Sequence, residues 1–295
     1  RQGKAFGLLE GGRGLVAAVV GVIAVTFFAW SAKGAGAYAP IRNRESFQII
    51  LVLTSVLVFS AGLIAYYGLP NSKKAVRKRL HFVKPSEIMR LLRLPTVWLQ
   101  AIMIVCAYVG YKITDDYSLF ANEVLELDQV KSAGVATVAI WLRPAFAIAA
   151  GFLADRFLPE RVISWCFAFM CVSGALIYSG WYSGIAYIAF TILTTALVGV
   201  YGLRGVYFAV MNRGHIPLAL TGTAVGIISL VGYTPDVFIS PIMGHILDTH
   251  RGVRGHELVF GLMSAFGLLG FLCSLAFGSI TNKLTARRGH RQATA

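Results

Sequence analysis

Long apolar segments, each about 20 residues in length, recur along the whole sequence and limit its possible folds. A segment that crosses hydrocarbon must satisfy its own backbone N–H and C=O groups, so it is either an α-helix or a strand of a closed barrel. Barrel strands run to about 10 residues and alternate apolar with polar side chains, whereas these segments are continuously apolar. The composition agrees, because 57% hydrophobic and 14% charged residues fall outside the range of soluble domains. The sequence therefore predicts an all-α fold, a polytopic transmembrane helix bundle.

Eight candidate spans follow from this pattern, and most of the connections between them are short. They cover residues 5–30, 47–67, 95–111, 132–154, 162–178, 185–210, 217–239 and 258–280. A basic segment separates the first two spans from the last six. We therefore expect three parts: residues 1–70, a basic loop at 71–94, and a six-helix unit at 95–295.

The net charge of +14 comes mainly from Lys and Arg between the apolar segments. In such a chain basic residues indicate topology and contact with anionic lipid, and we expect no nucleic-acid partner. The loop at 71–94 carries many Lys and Arg against a single acid, Glu87, which predicts a cytoplasmic position. Alternation then places residues 155–161 and the C-terminus in the cytoplasm, and the acidic loop 112–131 outside. The basic loop is either partly helical along the membrane surface or a solvated linker.

One arginine lies deep inside a predicted span. Arg143 is about 11 residues from either end of its span, roughly 17 Å at 1.5 Å per residue, which is too far for its side chain to reach the interface. Pro144 follows it, frees the carbonyl of Ile140 and predicts a kink. A cation beside a broken helix suits an anionic substrate, such as a carboxylate or phosphate. An internal ion pair or a helix-bracing role is the other interpretation.

Further charged residues lie within or near the spans. Arg204 is closer to the inner end of its helix, and Tyr207 follows one turn later, which makes both candidates for a cavity surface. Glu10 and Arg13 are an i,i+3 pair on one helix face, and a self-neutralised structural pair is the favoured interpretation. A coupling role for this pair is the alternative.

An acid lies between two prolines of the seventh span. Asp236 stands between Pro235 and Pro241, whose missing N–H groups predict local unwinding. The acid is expected to pair with Arg143 or to carry a coupling proton. On the third span a further set of polar side chains falls roughly on one face: Gln100, Tyr108 and Tyr111. This stripe faces a water-filled cavity or, for Tyr111, the membrane interface.

Nothing in the sequence indicates catalysis. The histidines form no ligand set, and no nucleophile–base pair or phosphate-binding glycine loop is visible. The cysteines lie in apolar segments without metal-binding spacing and are interpreted as small buried hydrophobes: Cys106, Cys166, Cys171 and Cys273. We therefore predict no enzyme activity, no metal and no cofactor.

Three local motifs lie at the ends of predicted spans. The first is Gly151-Phe-Leu-Ala-Asp155-Arg156, followed by Arg161. The others are Arg204-Gly-Val-Tyr207-Phe-Ala and Gly232-Tyr-Thr-Pro235-Asp236-Val-Phe-Ile-Ser-Pro241. With six spans after a basic loop, they resemble the major facilitator superfamily. The first is similar to its G-x-L-A-D-R loop, although Leu158 replaces the usual glycine, and the other two are similar to bacterial sugar-phosphate and organic-anion carriers.

The resemblance implies twelve helices in two six-helix halves. This sequence would carry the fifth to twelfth helices, and its first residue, Arg1, agrees with the absence of four preceding helices. Asp155, Arg156 and Arg161 would form a gating loop. In it the Asp155 carboxylate would cap a helix start near residues 217–221, where it meets the positive end of the helix dipole.

These observations predict a secondary active transporter, a symporter or antiporter, that moves a small anionic organic solute by alternating access. The expected substrate contacts are Arg143, Arg204, Tyr207, Gln100, Tyr108 and Tyr111, and the expected coupling or ion-pair residues are Asp236, Glu10 and Arg13. We expect a bacterial inner-membrane protein that contacts lipid and is monomeric when complete. The alternative is a transporter-like membrane sensor that binds the solute and signals to a partner.

Overall fold

The structure is a computed structural model that describes residues 2–32, 39–68, 85–182, 185–214, 216 and 220–293. Its helices are α1 Gln2–Ala32, α2 Ala39–Gly68, α3 Pro85–Leu92, α4 Pro95–Ile113, α5 Tyr117–Glu123, α6 Gln129–Arg156, α7 Pro159–Tyr178, α8 Ala186–Val206, α9 Thr221–Gly232, α10 Pro235–Thr249 and α11 Val253–Ala293. Short 3-10 helices cover Thr114–Asp116 and Met211–Gly214. Within these ranges the chain contains no strand, so the predicted all-α fold is confirmed.

Among the described residues, eight helical stretches are long and apolar enough to cross a membrane, as the sequence predicts. Two of them combine two helices each: Pro95–Glu123 joins α4 to α5, and Thr221–Thr249 joins α9 to α10. The sequence placed the end of the seventh span too early, at residue 239, because the polar residues of α10 lower its hydropathy. Pro at the first position starts α4, α7 and α10, where its missing N–H costs nothing.

The described chain divides into two compact units. The first combines Arg1–Leu15 with Val83–Ala295, and the second is Val16–Phe82. In the second unit the described side chains of α2 are exposed along the helix, among them Val52, Phe59 and Ile64. A helix that is apolar around its circumference is stable in lipid and not in water. The expected basic loop at 71–94 lies largely outside the described residues.

The first unit is built around α4, α6, α7, α8 and α11. α11 packs on α7 and α4, α7 on α8, and α8 on α6, while α9 packs on α4. Small residues permit these approaches: a Cβ added to Gly174 of α7 would lie 2.7 Å from the carbonyl oxygen of Phe260 on α11. Without a hydrophobic drive between helices in lipid, such close backbone packing stabilises the bundle.

Two proline predictions have different outcomes. α6 remains helical through Pro144, so the helix is not interrupted beside Arg143, and the kink stays a prediction. The predicted unwinding near Pro235 occurs at residues 233–234, between α9 and α10. There the Thr234 hydroxyl donates to the carbonyl oxygen of Val231 at 2.7 Å. That contact replaces the donor that Pro235 lacks. α10 continues through Pro241.

Candidate functional site

A buried charge cluster joins α1, α6 and α8. Arg143 on α6 donates from Nη2 to Oε1 of Glu10 on α1, and Arg204 on α8 donates from Nε to the same oxygen at 2.9 Å. The three residues are only 5–7% exposed. Buried charges are tolerated when they are paired and hydrogen-bonded, so both arginines depend on Glu10 for compensation.

Arg13 lies at the edge of this cluster. Its Nη1 is 3.9 Å from Oε2 of Glu10, and its side chain is 68% exposed. The Glu10–Arg13 pair that the sequence favoured is therefore present but loose. Glu10 turns towards Arg143 and Arg204 instead, which sequence spacing alone did not predict.

Close packing of α1 on α6 places Glu10 next to Arg143 and Arg204. A Cβ added to Gly7 would lie 2.9 Å from Cα of Gly151 on α6. One added to Gly14 would lie 3.1 Å from Cγ of Arg143. Residues three and four apart share a helix face, so Glu10 lies on the same face of α1 as Gly7 and Gly14.

Tyrosine rings of α4 lie against the two guanidinium groups. The Tyr111 ring centroid is 4.1 Å from Cζ of Arg204 and 5.4 Å from Cζ of Arg143. Tyr108 is 5.4 Å from Cζ of Arg204. A cation over an aromatic face is attracted by the ring quadrupole, more strongly where water is excluded. Of the predicted substrate contacts, Arg143, Arg204, Tyr108 and Tyr111 are thus brought together.

The cluster holds donors that no described residue satisfies. Nε of Arg143 and Nη1 of Arg204 are buried without a hydrogen-bond partner in the described chain. The two buried guanidinium groups also share one buried carboxylate, that of Glu10. Arg13 is left out of this balance because its side chain is mostly exposed to solvent. The geometry therefore leaves positive charge and hydrogen-bond donors for an additional anion.

Gln100 and Tyr207 lie beside the tyrosines. Nε2 of Gln100 donates to the carbonyl oxygen of Tyr207 at 3.1 Å, while its Oε1 has no partner among the described residues. The hydroxyl of Tyr207 is 3.2 Å from that of Tyr233, whose ring is 5.1 Å from Tyr108. Gln100 thus holds the backbone after α8, and Tyr207 faces the break between α9 and α10.

Asp236 has different partners from the one expected. The Tyr108 hydroxyl donates to its Oδ2 at 2.9 Å, and Nζ of Lys112 is 3.7 Å from its Oδ1. The described contacts therefore pair Asp236 with Lys112 and not with Arg143. Lys112 also lies 3.4 Å from Asp115, so these charges form a second, more exposed group next to the tyrosines.

Asp155, from the predicted gating loop, contacts the first turn of α1. Oδ1 of Asp155 accepts from the backbone N–H of Gly3 at 3.0 Å, and Oδ2 from that of Lys4 at 3.2 Å. Asp155 therefore caps α1. Its expected partner near residues 217–221 stays a prediction, because residues 217–219 lie outside the described part of the chain. Arg156 lies 5.9 Å from the ring centroid of Phe157, and Arg161 is exposed on the first turn of α7.

One cluster escaped the sequence analysis. His256 at the start of α11 is fully buried, with Nδ1 2.8 Å from Asp116 and Nε2 3.2 Å from Glu123. The available signal was position, because all three residues fall near ends of spans on the side predicted to be outside. Tyr182 packs on Phe120 beside this cluster, and burial raises the pKa of its hydroxyl to about 12.

The sequence analysis assigned no partner to Glu160. Its carboxylate is buried at the start of α7 and lies 3.0 Å from Nη2 of Arg213. The same arginine nitrogen donates to Oδ1 of Asn282 on α11 at 3.2 Å. This contact joins three parts of the bundle, away from the arginine cluster.

Metal-ligand chemistry and the apolar cavity between α6 and α8 both point away from the arginine cluster in the described part of the chain. In the described part of the chain no group of three or more His, Cys, Asp or Glu is placed to hold a metal ion. A cavity of about 430 Å³ lies between α6 and α8, with an almost entirely apolar wall that includes Val138 and Leu197. This apolar wall suits a hydrocarbon chain better than an anion. We therefore locate the candidate site by charge and hydrogen bonding and not by cavity size.

The helices define a class: the chain is an all-α, polytopic transmembrane helix bundle. It is similar to the crystal structure of a bacterial homologue of the iron transporter ferroportin in an outward-facing state. The TM-score is 0.58 at 12% identity, covering 94% of this chain and 65% of that one. At this identity the likeness shows the fold alone.

Two curated proteins of Escherichia coli K12 are similar in sequence. The chain is 26% identical to inner membrane protein YihN over 284 residues, which is 93% of this chain and 65% of that protein. It is 26% identical to inner membrane protein YqcE over 293 residues, 95% of this chain and 66% of that protein. The chain thus spans slightly less than two thirds of each relative. No family model matches the chain.

Proposed function

We propose that the protein is a secondary active transporter that moves a small anionic organic solute across the bacterial inner membrane. The fold and the inner-membrane relatives support transport in that membrane. The observation that carries the anionic solute is the pair Arg143 and Arg204, which share one buried carboxylate and keep unpaired donors. In a low-dielectric site such donors bind a carboxylate, phosphate or sulfonate strongly.

Transport proceeds by alternating access in this proposal. Residues 1–70 form the end of one half, residues 71–94 a cytoplasmic loop, and residues 95–295 the second half. The cap of Asp155 on α1 then links the second half to a helix of the first on the cytoplasmic side. Such a link closes that side, and its release opens it.

The test is uptake by the whole protein in proteoliposomes. Gluconate, glucose 6-phosphate and methanesulfonate present a carboxylate, a phosphate and a sulfonate, and glucose and glycerol are the neutral comparison. We expect uptake of at least one anion. Arg143→Ala should reduce that uptake by at least about 30-fold, the equivalent of about 2 kcal/mol for a lost buried charge contact.

The control is Arg254→Ala. Arg254 is an arginine whose side chain is 55% exposed and pairs with Glu257 on its own helix, so its loss should leave uptake unchanged. Thermal unfolding of each purified variant shows whether it is folded. Uptake of only the neutral solutes, or normal anion uptake by folded Arg143→Ala, contradicts the proposal.

A further inference from the structure

The carboxylate of Glu10 occupies the position that a solute anion would need. Its Oε1 accepts from both Arg143 and Arg204, so one oxygen is shared between two guanidinium groups. Among the described residues, the cation near its Oε2 is Arg13, at 3.9 Å. Glu10 is attached to α1 and lies between the two arginines as a bound anion would.

Glu10 is an imperfect partner for these arginines. A guanidinium binds a carboxylate or phosphate best through two parallel N–H···O bonds, whereas each arginine here has a single bond to the same oxygen. Nε of Arg143 and Nη1 of Arg204 remain without partners among the described residues. An incoming group with two or three oxygens can use these nitrogens, which the shared oxygen of Glu10 does not.

A second partner for Glu10 lies on its own helix. Arg13 is one turn away on α1, and its side chain is mostly exposed. A rotation of the Glu10 side chain therefore transfers its charge from the buried arginines to Arg13 without leaving a carboxylate unpaired.

We propose that Glu10 is a tethered counter-anion, which a solute carboxylate, phosphate or sulfonate displaces from Arg143 and Arg204 towards Arg13. The inference rests on the proposed anion transport and adds a mechanism for filling the same site. In the empty protein Glu10 keeps the two arginines compensated. In the loaded protein the solute takes its place and Glu10 pairs with Arg13.

The proposed exchange predicts whether substitution of Glu10 strengthens or weakens anion binding. Binding of gluconate, glucose 6-phosphate and methanesulfonate to the whole protein is measured in detergent at constant pH, by tryptophan fluorescence. Glu10→Gln keeps the shape but removes the competing charge. It should therefore tighten binding of the transported anion about tenfold, since hydrogen bonds to charged groups are worth about tenfold or more in affinity.

Substitution of Arg13 should change the affinity for the anion in the opposite direction. Arg13→Ala removes the second partner of Glu10, so displacement becomes harder and binding should weaken about threefold, as expected for an exposed ion pair. In the Glu10→Gln background the same Arg13→Ala change should have no effect, because no carboxylate remains to be received. This dependence distinguishes transfer to Arg13 from a direct contact between Arg13 and the solute.

The control is Glu160→Gln, which removes another buried carboxylate from an arginine pair outside the site and should leave the Kd unchanged. Weaker or unchanged binding in Glu10→Gln overturns the inference while anion binding itself stands. If no anion binds the unaltered protein, the proposed function fails and the inference with it. Should Glu10→Gln not fold, Glu10→Asp replaces it, because its shorter side chain reaches the two arginines less well and also tightens binding.

Discussion

At the scale of single residues, His256 shows how a buried carboxylate outside the arginine cluster finds a partner. Both ring nitrogens face carboxylates, Asp116 at 2.8 Å and Glu123 at 3.2 Å. Only the charged imidazolium donates from both nitrogens. Asp116 is itself buried, so the histidine compensates a carboxylate that would otherwise lose its hydration. The contact joins the start of α11 to the end of the α4–α5 stretch.

We expect His256→Leu to destabilise the protein. The substitution leaves Asp116 buried without this partner, and breaking a buried ion pair on one side costs about 3–5 kcal/mol. The apparent midpoint of thermal unfolding in detergent should fall clearly. Asp116→Asn in the same chain should recover part of the loss, because it removes the uncompensated charge.

His245→Leu is the matched control, since His245 is exposed on α10, and its midpoint should not change. Equal midpoints for His256→Leu and the unaltered protein would show that the buried contact contributes no stability. A double variant less stable than His256→Leu alone would assign Asp116 a different partner.

At the scale of helices, the approach of α1 to α6 positions the site. The face of α1 that carries Gly7 lies against the backbone of α6. Gly12, on another face of the same helix, has nothing within 4 Å of the position of an added Cβ. The two glycines have the same intrinsic cost in a helix, so a comparison between them isolates packing.

Gly7→Ala should therefore destabilise the protein by about 1–3 kcal/mol, the range for overpacking a tight interface. The added Cβ would lie 2.9 Å from the backbone of both Ala147 and Gly151, and backbone cannot move aside as a side chain can. Gly12→Ala should be neutral or slightly stabilising, because alanine is the better helix former. The measurement is again thermal unfolding; equal effects of the two substitutions would contradict close α1–α6 packing.

The sequence predicted the helices of this protein better than it predicted the contacts between them. Length and hydropathy determine whether a segment crosses the membrane, so the spans were predictable. Which residue pairs with which depends on how each helix is rotated about its axis. The sequence therefore identified Glu10, Arg143 and Arg204 as buried charges but did not join them. For Asp236 it offered Arg143 as a partner or a coupling proton, and it did not anticipate the contacts with Tyr108 and Lys112, which depend on how α4 is rotated.

At the scale of the whole molecule, the charge distribution predicts an orientation in the membrane. The basic loop at 71–94 and the acidic loop at 112–131 favour opposite sides under the positive-inside rule. The turn that carries Arg161 would then share the cytoplasmic side with the basic loop. These assignments place the Asp155 cap at the inner surface and the His256 cluster at the outer one.

Single cysteines test this orientation. Asn122→Cys and Arg161→Cys place a thiol at exposed positions on the two sides proposed. In cells with a permeabilised outer membrane, a maleimide that cannot cross the inner membrane should label Asn122→Cys. It should label Arg161→Cys only after the inner membrane is also opened. The unaltered protein gives the background, since Cys106 and Cys166 are buried and Cys171 and Cys273 are half-buried. The reverse pattern would invert the orientation and place the Asp155 cap at the outer surface.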